Sequence, residues 1–412
     1  MGKNNKIYSF VLFLSFVFLN AQNPINVKKY GAKGDGKSDD YPAFVQAIND
    51  AIKQKNSEIT IPYGTYFVSH ALEIQYVDNT MKIKGLKDSK GKLPIIKINK
   101  YSDIISVKGQ LLSQSKGEFE IENVELQGYN EAYSEKHPYI DQKKWFAGIQ
   151  VQDKNKVKIN NVIVKDIYGE GIIVVNSQRT DIPLGARADM VEITNCKVLD
   201  VWGFNKDDDY GDGLYVSNVV KANVSNNYIK NNTKKTKQLG RVGIVVEYMA
   251  ENVSLTNNFV DEGYDRAFHL EASYGGHVVE NNKFYGSDVA IIIAENYENY
   301  KDTYIKNNIL SNKNFRKDES MKLLLAKDLL YYRNLIIVNT PVLKGKIHIS
   351  NNKLIIDDNF KYNGAGAINS NSGSADIFSN TIEVGKEFDK IEVFIGPKVN
   401  FKYNNSLIKK NN

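Results

Sequence analysis

The sequence contains a short repeat in which an apolar residue, one spacer, an asparagine, two spacers and a second apolar residue follow one another. Such repetition is typical of a solenoid, because a single unit cannot bury its own apolar face. Alternation with period two indicates a strand in each copy. Asparagine tolerates left-handed backbone, so each copy predicts a sharp bend, and stacked bends would align these side chains in a hydrogen-bonded ladder. The pattern therefore predicts a parallel β-helix. The asparagines of the eight copies are Asn123, Asn161, Asn195, Asn226, Asn257, Asn281, Asn307 and Asn351.

A second stripe runs in register with the first and consists of Gly or Ala followed by alternating apolar residues. The residues one and three positions after the Gly or Ala are uniformly apolar and are predicted to point inward. Those two and four positions after it are predicted to point outward and to form columns on successive coils. The stripe begins at Gly148, Gly171, Gly213, Gly243, Ala267 and Ala290.

The N-terminal segment has the features of an export signal. Lys3 and Lys6 precede an apolar run over 7–19, and a sequence resembling a cleavage site ends at Ala21. We therefore expect a signal peptide at 1–21 and a secreted or periplasmic protein with no membrane partner after cleavage. Without Lys3 and Lys6, 52 of the 54 basic residues remain against 48 acidic ones, a net charge of +4. Such a mild charge permits an anionic partner, and no nucleic-acid partner is predicted.

Residues 22–412 are predicted to form one β-helix domain. An amphipathic helix near 41–53 would cover the open end of the coil stack. Residues 311–346 break the repeat and are interpreted as an irregular excursion carrying extra strands. Cys196 is the only cysteine, so no intrachain disulfide is possible, and its place in the repeat favours a structural role.

The N-terminal motif resembles that of a known superfamily. The segment from Val27 to Asp40, followed by Ile59-Thr-Ile-Pro-Tyr-Gly-Thr-Tyr66 after the predicted helix, is similar to the signature of the pectate-lyase superfamily. The resemblance implies an all-β, right-handed, single-stranded parallel β-helix with an N-terminal capping α-helix. That superfamily includes polygalacturonase-like glycoside hydrolases, polysaccharide lyases and phage tailspikes, so the motif specifies the fold more closely than the reaction.

The catalytic motifs of the polygalacturonases are not found in this chain. Gly211-Asp-Gly-Leu214 resembles part of the first motif of that family. The next coil carries Arg241-Val242 in place of paired aspartates, and the coil after it carries Arg266-Ala267 in place of Gly-His-Gly. The resemblance therefore carries the fold over, but not the catalytic residues.

Glu247 and Glu271 occupy the same outward column on successive coils. Proximity of two carboxylates raises one pKa and leaves a proton donor beside an ionised partner, as glycoside hydrolysis requires. Asp212 offers an alternative partner for Glu271, and His269 is predicted to tune Glu271 or to hold a substrate hydroxyl. Arginines would recognise sulfate or uronate, and aromatic side chains would contact sugar rings. The predicted substrate-binding residues are Arg241, Arg266, Tyr215, Asp265, Gln150, Trp145 and Trp202.

Three functions remain open from the sequence. The first is hydrolysis of an anionic polysaccharide, uronate or sulfated, by two carboxylates. The second is a lyase that performs β-elimination on a uronate polymer, with His269 or Tyr215 as base and Arg266 or calcium neutralising the sugar carboxylate. The third is a non-catalytic glycan binder or adhesin. No cofactor and no metal ligand are predicted, although Asp207-Asp208-Asp209 would suit calcium.

Overall fold

The computed structural model shows a coil of parallel strands that repeats along the chain. It describes residues 24–75, 79–109, 117–130, 145–176, 187–203, 211–232, 239–286, 289–294, 301–312, 334–339, 344–356, 367–370, 375–385, 394–395, 400–401 and 404–409. The predicted signal peptide lies outside the described residues. Successive strands contribute in turn to three parallel sheets, here called sheets I, II and III in the order in which the chain visits them.

The strand bounds follow the coil from its N-terminal end. Sheet I consists of Ile25–Asn26, Asn56–Ile61, Thr80–Gly85, Glu118–Glu122, Lys156–Asn160, Met190–Thr194, Ala222–Ser225, Val253–Thr256, Val278–Glu280, Thr303–Lys306, Ile347–Ser350, Ala375–Phe378 and Asn400–Phe401. Sheet II consists of Asp35–Asp39, Thr65–Phe67, Ile95–Lys97, Glu125–Gln127, the first half of Ile163–Val175, Lys197–Trp202, Tyr228–Lys230, Phe259–Val260, Lys283–Tyr285, Ile309–Ser311, Lys353–Ile356, Thr381–Val384 and Ser406–Lys409. Sheet III consists of Leu72–Gln75, Ile105–Lys108, Phe146–Gln152, the second half of Ile163–Val175, Leu214–Ser217, Gly240–Glu247, Tyr264–Glu271, Val289–Ala294, Ile336–Asn339, Ile368–Ser370 and Phe394–Ile395. The predicted parallel β-helix is confirmed.

The chain bends from sheet I to sheet II at the predicted asparagines. All eight have φ between 51° and 58°, which lies in the left-handed region that asparagine tolerates better than most residues. The bend residues from Asn195 onward are exposed, because the left-handed step turns their side chains away from the core. The sequence therefore predicts the position and conformation of this bend correctly.

The asparagine ladder lies one residue later than predicted for most of the coil. Asn227, Asn258, Asn282, Asn308, Asn352 and Asn380 each follow a bend residue and are buried. In each, the backbone N–H and the side-chain Nδ2 donate to Oδ1 of the ladder asparagine of the next coil, at 2.8–3.1 Å. Among the bend residues themselves, Asn161 Nδ2 donates to Asn123 Oδ1 at 2.6 Å. The residue after the bend turns inward, so it is the one that needs buried hydrogen-bond partners.

Cys196 occupies the N-terminal end of this ladder. Its backbone N–H donates to Oδ1 of Asn227 at 2.9 Å, and its side chain is buried. Burial raises the pKa of the thiol to about 12, so the reactive thiolate is scarce at neutral pH. The structure agrees with a structural role for this cysteine.

The inward side chains of the three sheets form one continuous apolar core. On sheet III, Ile149 and Val151 are fully buried at the two positions predicted to point inward. The glycines that begin the stripe allow neighbouring coils to approach closely. A Cβ at Gly171 would lie 2.3 Å from the carbonyl oxygen of Gly213, a distance that no side chain could accept.

Helix α1, Tyr41–Ile52, covers the first coil, after a short 3-10 helix at Val27–Tyr30. Its buried face packs on the first full strands of sheets I and III. Phe44 contacts Tyr66 edge-to-face, with ring centroids 5.5 Å apart. This helix is the predicted cap, and it shields the apolar interior from water.

The break in the repeat at 311–346 is described only in part. The strand Ile336–Asn339 pairs in parallel with Val289–Ala294 on one side and with Ile368–Ser370 on the other. It is therefore a regular member of sheet III and not an extra strand, which corrects the interpretation of this part of the excursion.

Candidate active site on the outer side of sheet III

Several side chains on the outer side of sheet III are buried. Trp145 and Val175 are partly buried and pack against a second apolar cluster on this side. The outward columns carry apolar residues such as Ile173 and Val245 as well as polar ones. Polar groups among them are therefore partly desolvated. The second cluster consists of Ala147, Ile173, Tyr215, Val242 and Val245.

Glu247 and Glu271 are direct neighbours on adjacent coils, since their Cα atoms are register partners on sheet III. A second outward column of sheet III contains Tyr215, Val245 and His269 on three successive coils. Glu247 is only 9% exposed, whereas the side chain of Glu271 is 34% exposed. The structure thus brings the predicted carboxylates together, but in unequal environments.

Glu247 has the surroundings of a proton donor. Burial raises the pKa of its carboxyl to about 7. The hydrogen bond that Tyr215 Oη donates to Glu247 Oε1 opposes this rise, as does the charge of Arg241. The carboxylates of Asp212 and Glu271 add to it. At neutral pH the carboxyl is about half protonated, whereas an exposed glutamate would be ionised.

His269 is a neutral imidazole in this environment. Burial, together with the charges of Arg266 and Arg241, lowers its pKa to about 3. Its Nε2 lies 3.3 Å from Oε2 of Glu271, but the geometry leaves Nε2 without a hydrogen bond. Because the ring is uncharged, this contact is not an ion pair. The nitrogen is a buried polar atom with no hydrogen-bond partner among the described residues.

The buried Asp212 and the partly exposed Arg241 form an ion pair that acts on Glu247. Arg241 Nε donates to Asp212 Oδ1 at 2.9 Å, and Nη2 contacts Oδ2. The backbone N–H of Asp212 donates to Oε2 of Glu170 at 2.9 Å. Burial, with the charge of Asp212, holds the pKa of Glu170 well above its ordinary value. The carboxylate of Asp212 is thus engaged by Arg241, so it acts on Glu247 as a nearby charge.

Glu170 is a site residue that the sequence analysis missed. It stands immediately before Gly171, as Asp212 stands before Gly213, and these positions lie side by side on adjacent coils. A search of the positions preceding the Gly stripe would have found it. The rule that residues two and four positions after the Gly or Ala point outward does not identify Glu170, because the chain changes direction there.

Asp265 and Arg266 lie on the next coil. Arg266 Nε is 3.2 Å from Oδ2 of Asp265. Burial raises the pKa of Asp265, although the neighbouring Arg266 opposes the shift. The charge of Arg266 lowers the pKa of His269, and His269 contacts Glu271. Two arginines therefore flank the same outer surface.

Of the remaining predicted binding residues, Gln150 and Trp145 lie on the outer side of sheet III, whereas Trp202 does not. Gln150 lies two coils before Tyr215 in the same outward column and is partly exposed. Trp145 packs against the outer cluster that contains Tyr215. Trp202 is not a loop residue, as predicted, but ends a strand of sheet II, where it is buried and packs edge-to-face on Tyr168. Its ring is thus not available for stacking on a sugar.

The part of the chain that the structure describes contains neither a metal centre nor a membrane-spanning helix. No group of three or more His, Cys, Asp or Glu side chains there could hold a metal ion. Asp207, Asp208 and Asp209, which would suit calcium, lie outside the described residues. None of the described helices is long and apolar enough to cross a membrane.

Comparisons with known proteins agree on the architecture. A family model described as a right-handed β-helix region matches residues 147–316. The pre-neck appendage proteins of Bacillus phages PZA and phi29 are 42% identical over 50 residues, which is 12% of this chain and only 5% of either relative's length.

Solved structures align over most of the chain at low sequence identity. A tailspike protein of E. coli bacteriophage HK620 in complex with a pentasaccharide has a TM-score of 0.63 at 11% identity, over 94% of this chain and 67% of that one. The A-module of mannuronan C-5 epimerase AlgE6 from Azotobacter vinelandii has a TM-score of 0.54 at 14% identity, over 94% of this chain and 99% of that one. A family 28 exopolygalacturonase from Yersinia enterocolitica has a TM-score of 0.53 at 12% identity, over 94% of this chain and 78% of that one. The chain therefore has a right-handed parallel β-helix fold.

Proposed function

We propose that this protein is a glycoside hydrolase that cleaves an anionic polysaccharide at the outer side of sheet III. The observation that carries the proposal is the in-register pair of Glu247 and Glu271. One member is buried with a pKa of about 7, and the other is partly exposed. Glycoside hydrolysis requires this division between a protonated acid and an ionised carboxylate.

The two glutamates have separate roles in the proposal. Glu247 is the general acid, and Tyr215 orients its carboxyl by donating to Oε1. Glu271 is the nucleophile or base, since water and substrate reach its carboxylate. Adjacent strands in a sheet are about 4.8 Å apart, which favours a retaining mechanism, for which carboxyl groups lie about 5–5.5 Å apart.

The surroundings of the pair support a polysaccharide that carries negative charge. Arg241 and Arg266 place positive charge near the starts of the two strands that end in Glu247 and Glu271, and the guanidinium group suits sulfate or uronate. The names of the aligned structures refer to a polygalacturonase, a mannuronan epimerase and a pentasaccharide complex. Those names support a polysaccharide as the substrate class.

A lyase is the second candidate, because His269 is uncharged and lies near Arg266. However, a histidine with a pKa of about 3 is a weak base at neutral pH, and general-base catalysis is most effective when the pKa lies near the working pH. The hydrolase is therefore favoured.

The products of the reaction test the proposal. The protein is incubated with polygalacturonate, alginate and sulfated galactans while reducing ends and ultraviolet absorbance are followed in parallel. Hydrolysis releases reducing ends without absorbance, and β-elimination produces both. Glu247→Gln and Glu271→Gln should each lower the rate by at least about a hundredfold. Glu280→Gln makes the same change on sheet I and should leave the rate unaltered. Reducing ends from none of the polymers would contradict the proposal and favour a glycan binder.

We also propose that residues 1–21 are a cleaved export signal. The support is the basic and apolar pattern of that segment. N-terminal sequencing of the protein after expression in a bacterium tests this. A mature chain that begins near Gln22, found outside the cytoplasm, is the expected result, and an intact N-terminus in the cytoplasm would contradict it.

A further inference from the structure

The chain leaves sheet III for sheet I through a left-handed residue in several coils. On two earlier coils this position is held by Asp153 with φ 56° and Asn218 with φ 51°, residue types enriched in that conformation. Directly after the two glutamates it is held by Tyr248 with φ 45° and Ala272 with φ 50°. A bulky residue is an outlier there. Backbone conformation alone therefore favours asparagine over Tyr248.

The turn that carries Tyr248 is fixed on both sides. The carbonyl oxygen of Tyr248 accepts a hydrogen bond from the backbone N–H of Asn218 at 2.8 Å. Arg187 Nη1 donates to the carbonyl oxygen of Met249 at 3.0 Å and to Glu251 Oε2 at 2.9 Å. A side chain on such a turn loses little further backbone freedom when a ligand binds.

Tyr248 is also exposed where its neighbours are not. It is 39% exposed and follows directly after the buried Glu247. Large apolar residues on the outer side of sheet III, such as Ile173 and Val245, are buried. An aromatic side chain kept exposed beside two carboxylates, in an unfavourable backbone conformation, indicates a contact outside the folded chain.

We propose that Tyr248 is a binding residue whose ring packs against a pyranose ring of the polysaccharide held at Glu247 and Glu271. The inference rests on the proposed function, since it names a binding position of the same site. The apolar face of a sugar ring suits the face of an aromatic side chain.

Three variants test this inference. Tyr248→Asn removes the ring and installs a residue that the same backbone position accepts at Asn218, so the fold should be retained. Tyr248→Phe keeps the ring. Tyr304→Asn is the matched control, because Tyr304 is 41% exposed and lies on sheet I. Steady-state kinetics are measured on the polymer that the wild type cleaves, with melting temperatures recorded for each variant.

The expected result for Tyr248→Asn is a KM raised about 3- to 10-fold with kcat within about twofold, which corresponds to the usual value of an aromatic contact. Tyr248→Phe and Tyr304→Asn should keep the wild-type KM. A wild-type KM for Tyr248→Asn, or an equal rise for Tyr304→Asn, would overturn the inference while leaving the hydrolase in place.

Affinity electrophoresis in gels containing polygalacturonate, alginate or a sulfated galactan separates the inference from the proposed reaction. If the wild type cleaves no polymer but is retarded by one, loss of retardation in Tyr248→Asn supports the binding role and only the hydrolase fails. Equal retardation of this variant and the wild type overturns the binding role. A wild type that neither cleaves nor binds any of the polymers contradicts both proposals.

Discussion

Replacement of Glu247 by glutamine should change the pH dependence of stability in a way that reports its buried environment. The folded-state pKa is about 7, whereas glutamate in an unfolded chain titrates near 4.3. Between these values the folded protein holds a proton that the unfolded chain releases. Stability therefore falls as pH rises through this window. The shift corresponds to about 3 kcal/mol lost by the wild type between pH 4 and pH 8.

Glutamine does not titrate, so Glu247→Gln should not have this loss. In urea unfolding, the free energy of unfolding of the variant, relative to the wild type, should rise by about 3 kcal/mol from pH 4 to pH 8.

Glu251→Gln is a control of opposite sign. Burial raises the pKa of Glu251, but hydrogen bonds from Lys301 and Arg187 outweigh this and hold it below its ordinary value. That carboxylate contributes stability above its unfolded pKa, and the contribution is lost as pH falls, so Glu251→Gln should lose stability relative to the wild type as pH rises. A stability difference between Glu247→Gln and the wild type that is the same at pH 4 and pH 8 would contradict the buried, proton-holding environment.

Other predictions follow from single contacts. Asn282→Ala should cost about 2–4 kcal/mol in urea unfolding, because it removes the acceptor of two buried donors, whereas Asn281→Ala at the exposed bend should cost about 1 kcal/mol; equal costs would contradict the ladder. Tyr215→Phe removes a hydrogen bond that lowers the pKa of Glu247, so the alkaline limb of the pH–rate profile should move up by about one unit, and a downward move would refute the assignment. Cys196 should react with a thiol reagent only after unfolding, and rapid labelling of the native protein would contradict its burial.

The repeat pattern predicts most of the fold because the relevant forces are local. Alternating apolar residues define which side of each strand is buried, and the bend asparagines define where the chain turns. The ladder at Asn227 and the following coils was misplaced by one residue, since the pattern does not say whether the bend side chain or the next one faces inward. Only the left-handed geometry at the bend decides that.

The sequence predicts which residues of the candidate site are neighbours, but not how deeply each of them is buried. Counting from Gly243 and Ala267 places Glu247 and Glu271 side by side. The burial of Glu247 depends on what packs over the outer face, and no repeat pattern contains that information. Glu170 was missed for a related reason: it lies where the chain passes from sheet II to sheet III, and the alternation rule fails there.

The central claim is that Glu247 and Glu271 together hold the bond that is cleaved. A crystal structure of the Glu271→Gln variant with an oligosaccharide of the cleaved polymer tests it most directly. The account predicts a glycosidic oxygen within about 3 Å of the Glu247 carboxyl, with the sugar chain across the outer side of sheet III. An oligosaccharide bound on sheet I or sheet II, with Glu247 out of its reach, would contradict it.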